Sequence, residues 1–124
     1  MRLVIGGRAQ GKLAYVLSTV EYGKPDVYEG IPQDPGESTF VVNHLHLWIR
    51  ERILAGGSPE KELEEFLNQY PDCVILCDEV GNGIVPVDPL EREYRERTGR
   101  IQIGLAKRAE TVERIVCGIS QRIK

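Results

Sequence analysis

Apolar residues fall along the chain in short runs, and the runs alternate between a strand period and a helix period. Arg2 to Ile5 is a compact apolar run closed by Gly6-Gly7, which predicts a short strand. Residues 11–22 then set Leu13, Val16, Leu17 and Val20 on one helical face. Residues 23–38 hold three Gly and three Pro, a turn-rich stretch around a candidate short strand at Asp26 to Glu29. Thr39 to Asn43, rich in β-branched residues, predicts a strand. Leu45 to Ala55 predicts a helix stopped by Gly56-Gly57. Ser58 and Pro59 supply an N-cap and a first-position proline for a helix to about Gln69.

Asp72 to Cys77 (DCVILC) is a continuous apolar run, the pattern of a parallel strand covered on both faces. From Leu90, the stripe Leu90, Tyr94, Ile101, Leu105 and Ala109 recurs near helical spacing, and Gly99 is expected to kink or split it. Val112 to Ile119 is the last predicted strand, with Gln121 to Lys124 as its candidate continuation. Strands alternating with helices predict an α/β fold, a parallel sheet with helices on both faces. With no repeat and no long linker, one domain over residues 1–124 is expected.

Composition narrows the function classes. Hydrophobic residues at 41% and charged residues at 28% permit a packed core in 124 residues. Sixteen Lys and Arg against nineteen Asp and Glu leave a net charge of −3, so no broad basic surface exists for nucleic acid. No apolar run is long enough to span a membrane, and Met1 leads into a strand-like run, not a signal segment. Cys73, Cys77 and Cys117 lie in apolar runs and read as reduced thiols of a cytoplasmic protein.

Candidate chemistry concentrates at two places. Gly6-Gly7-Arg8-Ala9-Gln10-Gly11-Lys12-Leu13 fits G-x-x-x-x-G-K after a strand and before a helix. Glycines there let backbone N–H groups converge on a phosphate, and Lys12 would reach the β- and γ-phosphates. The next position, normally a Ser or Thr whose hydroxyl binds Mg²⁺, is Leu13. The plain alternative is an ordinary tight turn. Asp78-Glu79, after the buried strand, is a candidate acidic pair. Asp78 would hold Mg²⁺ through water and Glu79 would orient a nucleophile, unless both are loop carboxylates.

His44 and His46 follow a strand end, where α/β sites gather. They read either as metal or proton-shuttle groups or, with no third ligand nearby, as partly exposed helix-start residues. Arg92, Arg95 and Arg100 are phosphate-clamp candidates or solvated helix positions. Cys73 and Cys77 share a strand face but stand too far apart for ordinary shared ligation, and read as core.

The chain resembles the adenosylcobinamide kinase/adenosylcobinamide-phosphate guanylyltransferase family of cobalamin biosynthesis. The strings that carry the resemblance are LVIGGRAQGKL at the loop, FVVNHLHLWI at residues 40–49 and VILCDEVGNGIVP at residues 74–86. It continues through Leu90, Arg92, Tyr94, Arg95, Gly99 and Arg100 to Gly118, Ile123 and Lys124. The resemblance implies a RecA-like P-loop NTPase fold, GTP or ATP as the nucleotide, a corrinoid acceptor and a homo-oligomer, often a trimer. It implies Lys12 and Glu79 as the catalytic pair.

The departures are specific. The family has Ser at the positions of Leu13 and Gln10, an arginine at the position of Ala9 and an acid at the position of Asn43. Both implied Mg²⁺ ligands are thus replaced together. Asp78 stands where the family has an amide, His46 replaces a small polar residue, and Gln102-Ile103 replace Asn-Gln. The family's guanylylated histidine has no counterpart in residues 23–38, so guanylyl transfer lacks its nucleophile. The expectation is a shortened, divergent member, either a nucleotide-dependent cobinamide kinase with an impaired metal site or a degenerate nucleotide-binding or assembly protein.

Overall fold

The computed structural model describes residues 1–20, 23–81 and 87–124. Strands β1 (Arg2–Gly6), β2 (Asp26–Glu29), β3 (Phe40–Asn43), β4 (Val74–Asp78), β5 (Thr111–Val116) and β6 (Ile119–Arg122) form one sheet in the order β2-β3-β4-β1-β5-β6. The helices are α1 (Lys12–Ser18), α2 (Leu45–Leu54), α3 (Pro59–Gln69) and α4 (Pro89–Arg108). All neighbouring strands are parallel except β5 and β6. The mostly parallel, helix-flanked sheet is the expected α/β P-loop NTPase architecture.

Strand pleating divides the core in two, because successive side chains point to opposite faces. Leu3, Val42, Ile75, Cys77 and Val112 pack with Leu45, Ile49, Leu63, Phe66, Tyr94, Ile101 and Leu105 from α2, α3 and α4. Val4, Val41, Val74, Leu76 and Ile115 turn the other way, onto Val16, Leu13 and Tyr15 of α1. Continuous apolar strands such as VILCD are therefore buried from both sides. A polar cluster fastens the short α1. Arg2 Nε lies 2.6 Å from Glu113 Oε1, and the Tyr15 hydroxyl donates to Glu113 Oε2 at 2.5 Å.

Three expectations change. The last strand does not run on from Val112 to Ile119. It breaks at Cys117 and Gly118, with φ of 51° and 76°, and returns antiparallel as β6. Two consecutive positive φ values suit a two-residue hairpin whose twist matches its strands. Helix α4 passes through Gly99 unbroken, held by the buried stripe Tyr94, Thr98, Ile101 and Leu105. Helix α1 ends at Ser18, short of the expected Tyr22. The Ser18 and Thr19 hydroxyls donate back to the Tyr15 and Val16 carbonyls at 2.6 and 2.7 Å and compete with helix continuation. Helix capping follows the sequence only in part. Pro59 opens α3 after Ser58 without a side-chain bond, whereas the Asp88 carboxylate accepts from the Leu90 N–H at 2.9 Å to open α4.

Gly6, at the end of β1, has a packing reason to be glycine. A Cβ there would stand 2.6 Å from the Ile115 carbonyl oxygen, backbone against backbone in paired strands. Gly6→Ala is expected to destabilise the protein by about 1–3 kcal/mol, the usual range for an overpacked site, read as a lower Tm in thermal unfolding.

Candidate active site

The loop from Gly6 to Lys12 joins β1 to α1 and carries two left-handed residues, Ala9 (φ 56°) and Gly11 (φ 87°). Left-handed residues set among right-handed ones turn successive N–H groups toward one concave side, which suits an anion. Helix α1 spans only seven residues, so its dipole adds little to that concavity. The loop is held from outside by the β5–β6 hairpin. The Cys117 N–H donates to Gln10 Oε1 at 2.7 Å and the Gly118 N–H donates to the Gln10 carbonyl at 2.8 Å.

Lys12 does not point into solvent. Its ammonium donates to the Gly7 carbonyl at 2.7 Å and pairs with Asp78 Oδ1 at 2.6 Å. The β1–β4 register sets Asp78 directly beside Gly6, which is why the two ends meet. Both side chains are withdrawn from water, at 8% and 14% exposure. The other Asp78 oxygen, Oδ2, lies 3.3 Å from His46 Nε2, and the Asp78 N–H donates to His46 Nδ1 at 3.1 Å. With Nδ1 accepting, the ring proton belongs on Nε2, facing the carboxylate. Burial pushes the His46 pKa below its usual 6.5, against the opposing pull of Asp78, so the ring is neutral at pH 7.

Beside this cluster, Glu29 at the end of β2 joins two neighbours. It accepts from Asn43 Nδ2 at 2.9 Å and contacts His44 Nδ1 at 2.5 Å. His44 is left-handed (φ 52°), and its ring meets that of His46 edge-on at 5.7 Å. Glu79 is gripped by Arg114 through two bonds of 2.8 and 3.0 Å, and its N–H donates to the Gly6 carbonyl at 2.8 Å. A cleft of about 240 Å³ follows the loop from Arg8 to Ala14 and reaches Asn43, His44 and Asp78. A second, of about 590 Å³, shares Arg8, His44 and Asp78 with it and extends over His46, Leu47, Glu79 and Val80.

The fold therefore gathers Arg8 to Leu13, Asp78 and His44 around one cleft, with His46 and Glu79 lining its neighbour and Gly6 and Gly7 behind the loop. Other candidates lie apart. Arg100 lines a groove between α3 and α4 and stands 3.9 Å from Glu96. Arg92 and Arg95 lie on α4 and both have partners. Cys73 and Cys77 are core residues, with burial pushing their thiols up to about 11 and about 12. Of the string at residues 79–86, Asn82 to Pro86 lie outside the described residues.

The donor set does not fit Mg²⁺. Leu13 offers no oxygen and packs against the apolar cluster of α1. Asn43 offers only a neutral carbonyl oxygen, its amide N–H being donated to Glu29, while both Asp78 oxygens already face Lys12 and His46. Among the described residues, no group of three His, Cys, Asp or Glu converges on one point. Mg²⁺ favours charged or hydroxyl oxygens free to coordinate it, and the expected Asp78 role is not supplied by this arrangement.

His46 is also not the partly exposed helix-start residue its position implies, since it is 7% exposed. A signal was present: it shares a helical face with Ile49 and Ile53 at spacings of three and seven. Glu29 and Arg114 gave no such signal, nor did the tie of Gln10 to the hairpin, because their partners lie far away in sequence.

The neutral, buried His46 has a stability consequence. The unfolded imidazole takes up a proton near pH 6.5 and the folded one resists it. The contribution is therefore intact above that pH and lost as pH falls toward the lowered folded pKa. Tm measured from pH 8 to pH 5 is expected to fall in the wild type and to fall less in His46→Gln.

Comparison with known proteins agrees with this frame. Residues 16–123 match the family described as cobinamide kinase / cobinamide phosphate guanyltransferase, so the loop itself lies ahead of the matched segment. The bifunctional adenosylcobalamin biosynthesis protein CobP of Pseudomonas aeruginosa is 32% identical over 90 residues, covering 68% of this chain and 52% of that protein. The proteins CobU of Salmonella typhimurium and Escherichia coli are each 43% identical over 51 residues, 41% of this chain and 28% of their own length. The chain thus spans about half, or less, of the relatives it matches. With a match from within α1 to the C-terminal end of the sheet, well over half of the chain, it belongs to the cobinamide kinase / cobinamide phosphate guanyltransferase family.

Proposed function

We propose that this protein acts in cobalamin biosynthesis by binding the phosphates of a purine nucleotide, GTP or ATP, in the loop from Gly6 to Leu13. Its activity would be of the cobinamide kinase type. The observation that carries the reading is Lys12, an ammonium buried at the mouth of a loop whose Ala9 and Gly11 are left-handed. At the mouth of such a loop this cation is placed to meet the charge of a phosphoryl group. The neighbouring cleft, with Glu79 on its wall, suits an acceptor hydroxyl of a corrinoid. Glu79 would act there as a hydrogen-bond acceptor oriented by Arg114. Guanylyl transfer is not included, since residues 23–38 contain no histidine.

A second reading has its own observation. Leu13, the uncharged Asn43 and the doubly engaged Asp78 support a site that would bind phosphate without speeding its transfer. The protein would then be a degenerate nucleotide-binding or assembly partner. In both readings the reduced core thiols suit a cytoplasmic setting, and self-association, as a trimer, follows from family likeness.

Calorimetry with GTP and ATP tests the shared part. Lys12→Ala is expected to weaken binding by about tenfold or more, the scale of one lost charge-assisted contact. Binding absent from the wild type, or indifferent to Lys12→Ala, would sink the loop assignment. Phosphorylation of cobinamide, followed by chromatography of the corrinoid, then separates the readings: slow, Lys12-dependent product supports the kinase, and none supports the degenerate protein.

A further inference from the structure

We propose that the loop takes its nucleotide free of divalent cation, so that Mg²⁺ weakens binding where a P-loop enzyme would need it. The inference rests on the phosphate-site reading above and specifies the form of the ligand.

Lys12 rests against a carboxylate. Its ammonium is buried against Asp78 Oδ1 at 2.6 Å, and the carboxylate is fixed from its other side by the His46 ring at 3.3 Å and from β4 itself. Breaking a withdrawn ion pair is unfavourable unless another anion replaces the lost partner. A nucleotide must therefore draw Lys12 away from Asp78 by the strength of its own charge. Free triphosphate carries that charge in full, whereas Mg²⁺ complexation neutralises part of it. The metal complex pulls on Lys12 less.

A metal-supported site recovers this loss through protein ligands to the cation. Here that recovery is missing. The loop position after Lys12 is Leu13, half-buried among apolar side chains, and the β3 position is Asn43, which has a neutral carbonyl oxygen in place of a carboxylate. Coordination by Asp78 would compete with its hold on Lys12 and His46. His46 stays beside Asp78 when Lys12 leaves, so the carboxylate keeps a hydrogen-bond donor during the exchange.

The test is isothermal titration of the whole chain with GTP and with ATP, in EDTA and in saturating Mg²⁺ at matched ionic strength. Binding is expected to be several-fold tighter in EDTA, up to about tenfold. Equal or tighter binding with Mg²⁺ overturns the inference and leaves the phosphate site standing. No binding in either medium overturns the phosphate-site reading and the inference together.

Asp78→Asn adds a second readout, with circular dichroism confirming the fold. Releasing Lys12 from its carboxylate is expected to tighten binding in EDTA by about tenfold. Weaker binding in Asp78→Asn that appears only with Mg²⁺ would instead mark Asp78 as a metal ligand and overturn the inference. The double variant Leu13→Ser with Asn43→Asp restores hydroxyl and carboxylate oxygens, and is expected to make Mg²⁺ favour binding.

Discussion

The ion pair between Lys12 and Asp78 is the constraint around which the site is built. It exists because β1 and β4 are parallel neighbours in a register that sets Gly6 beside Asp78. The chain leaves β1 through glycines, so the loop turns back tightly enough to lay Lys12 across the end of β4. From that pair the rest follows in sequence. Asp78 orients His46, His46 sets the inward face at the start of α2, and α2 packs on the sheet through Leu45, Ile49 and Ile53. A buried pair of this kind is held by geometry more than by net attraction, since removing two charges from water opposes the Coulomb gain.

The loop is equally a product of the hairpin beyond β5. Gln10 places both its side-chain and main-chain oxygens on the turn at Cys117 and Gly118. The two neighbours of β1 in the sheet thus meet at the loop: β4 holds Lys12 from one side and the hairpin after β5 holds Gln10 from the other. A loop fixed at two points has little ordering left to complete on meeting a ligand. Gln10, where the resemblance implies a serine, reaches the hairpin through its longer side chain.

Substitutions across the site form a consistent set. Leu13 and Asn43 replace the hydroxyl and carboxylate that the family resemblance leads one to expect, while Asp78 and His46 introduce a carboxylate and an imidazole. Charge has moved from the metal positions to the partner of Lys12. The loop from Gly6 to Lys12 does not depend on these positions for its shape, because its concavity comes from backbone N–H groups and left-handed residues.

Periodicity alone determined most elements of the fold, because burial of an apolar stripe or an apolar strand leaves a mark that any window of sequence carries. The apolar run before Asp78 is such a mark, and so is the glycine loop after β1. Element ends were less legible. Back-bonding hydroxyls closed α1 early, tertiary burial carried α4 through Gly99, and positive φ at Cys117 and Gly118 folded β6 back. The loop motif likewise named Lys12 without indicating where its ammonium rests. Only the tertiary structure decided that, along with the burial of His46, the Arg114 grip on Glu79 and the Gln10 tie to the hairpin. Each joins residues tens of positions apart, except the bond from Lys12 to Gly7, and sheet register, not local pattern, brings such partners within hydrogen-bond reach.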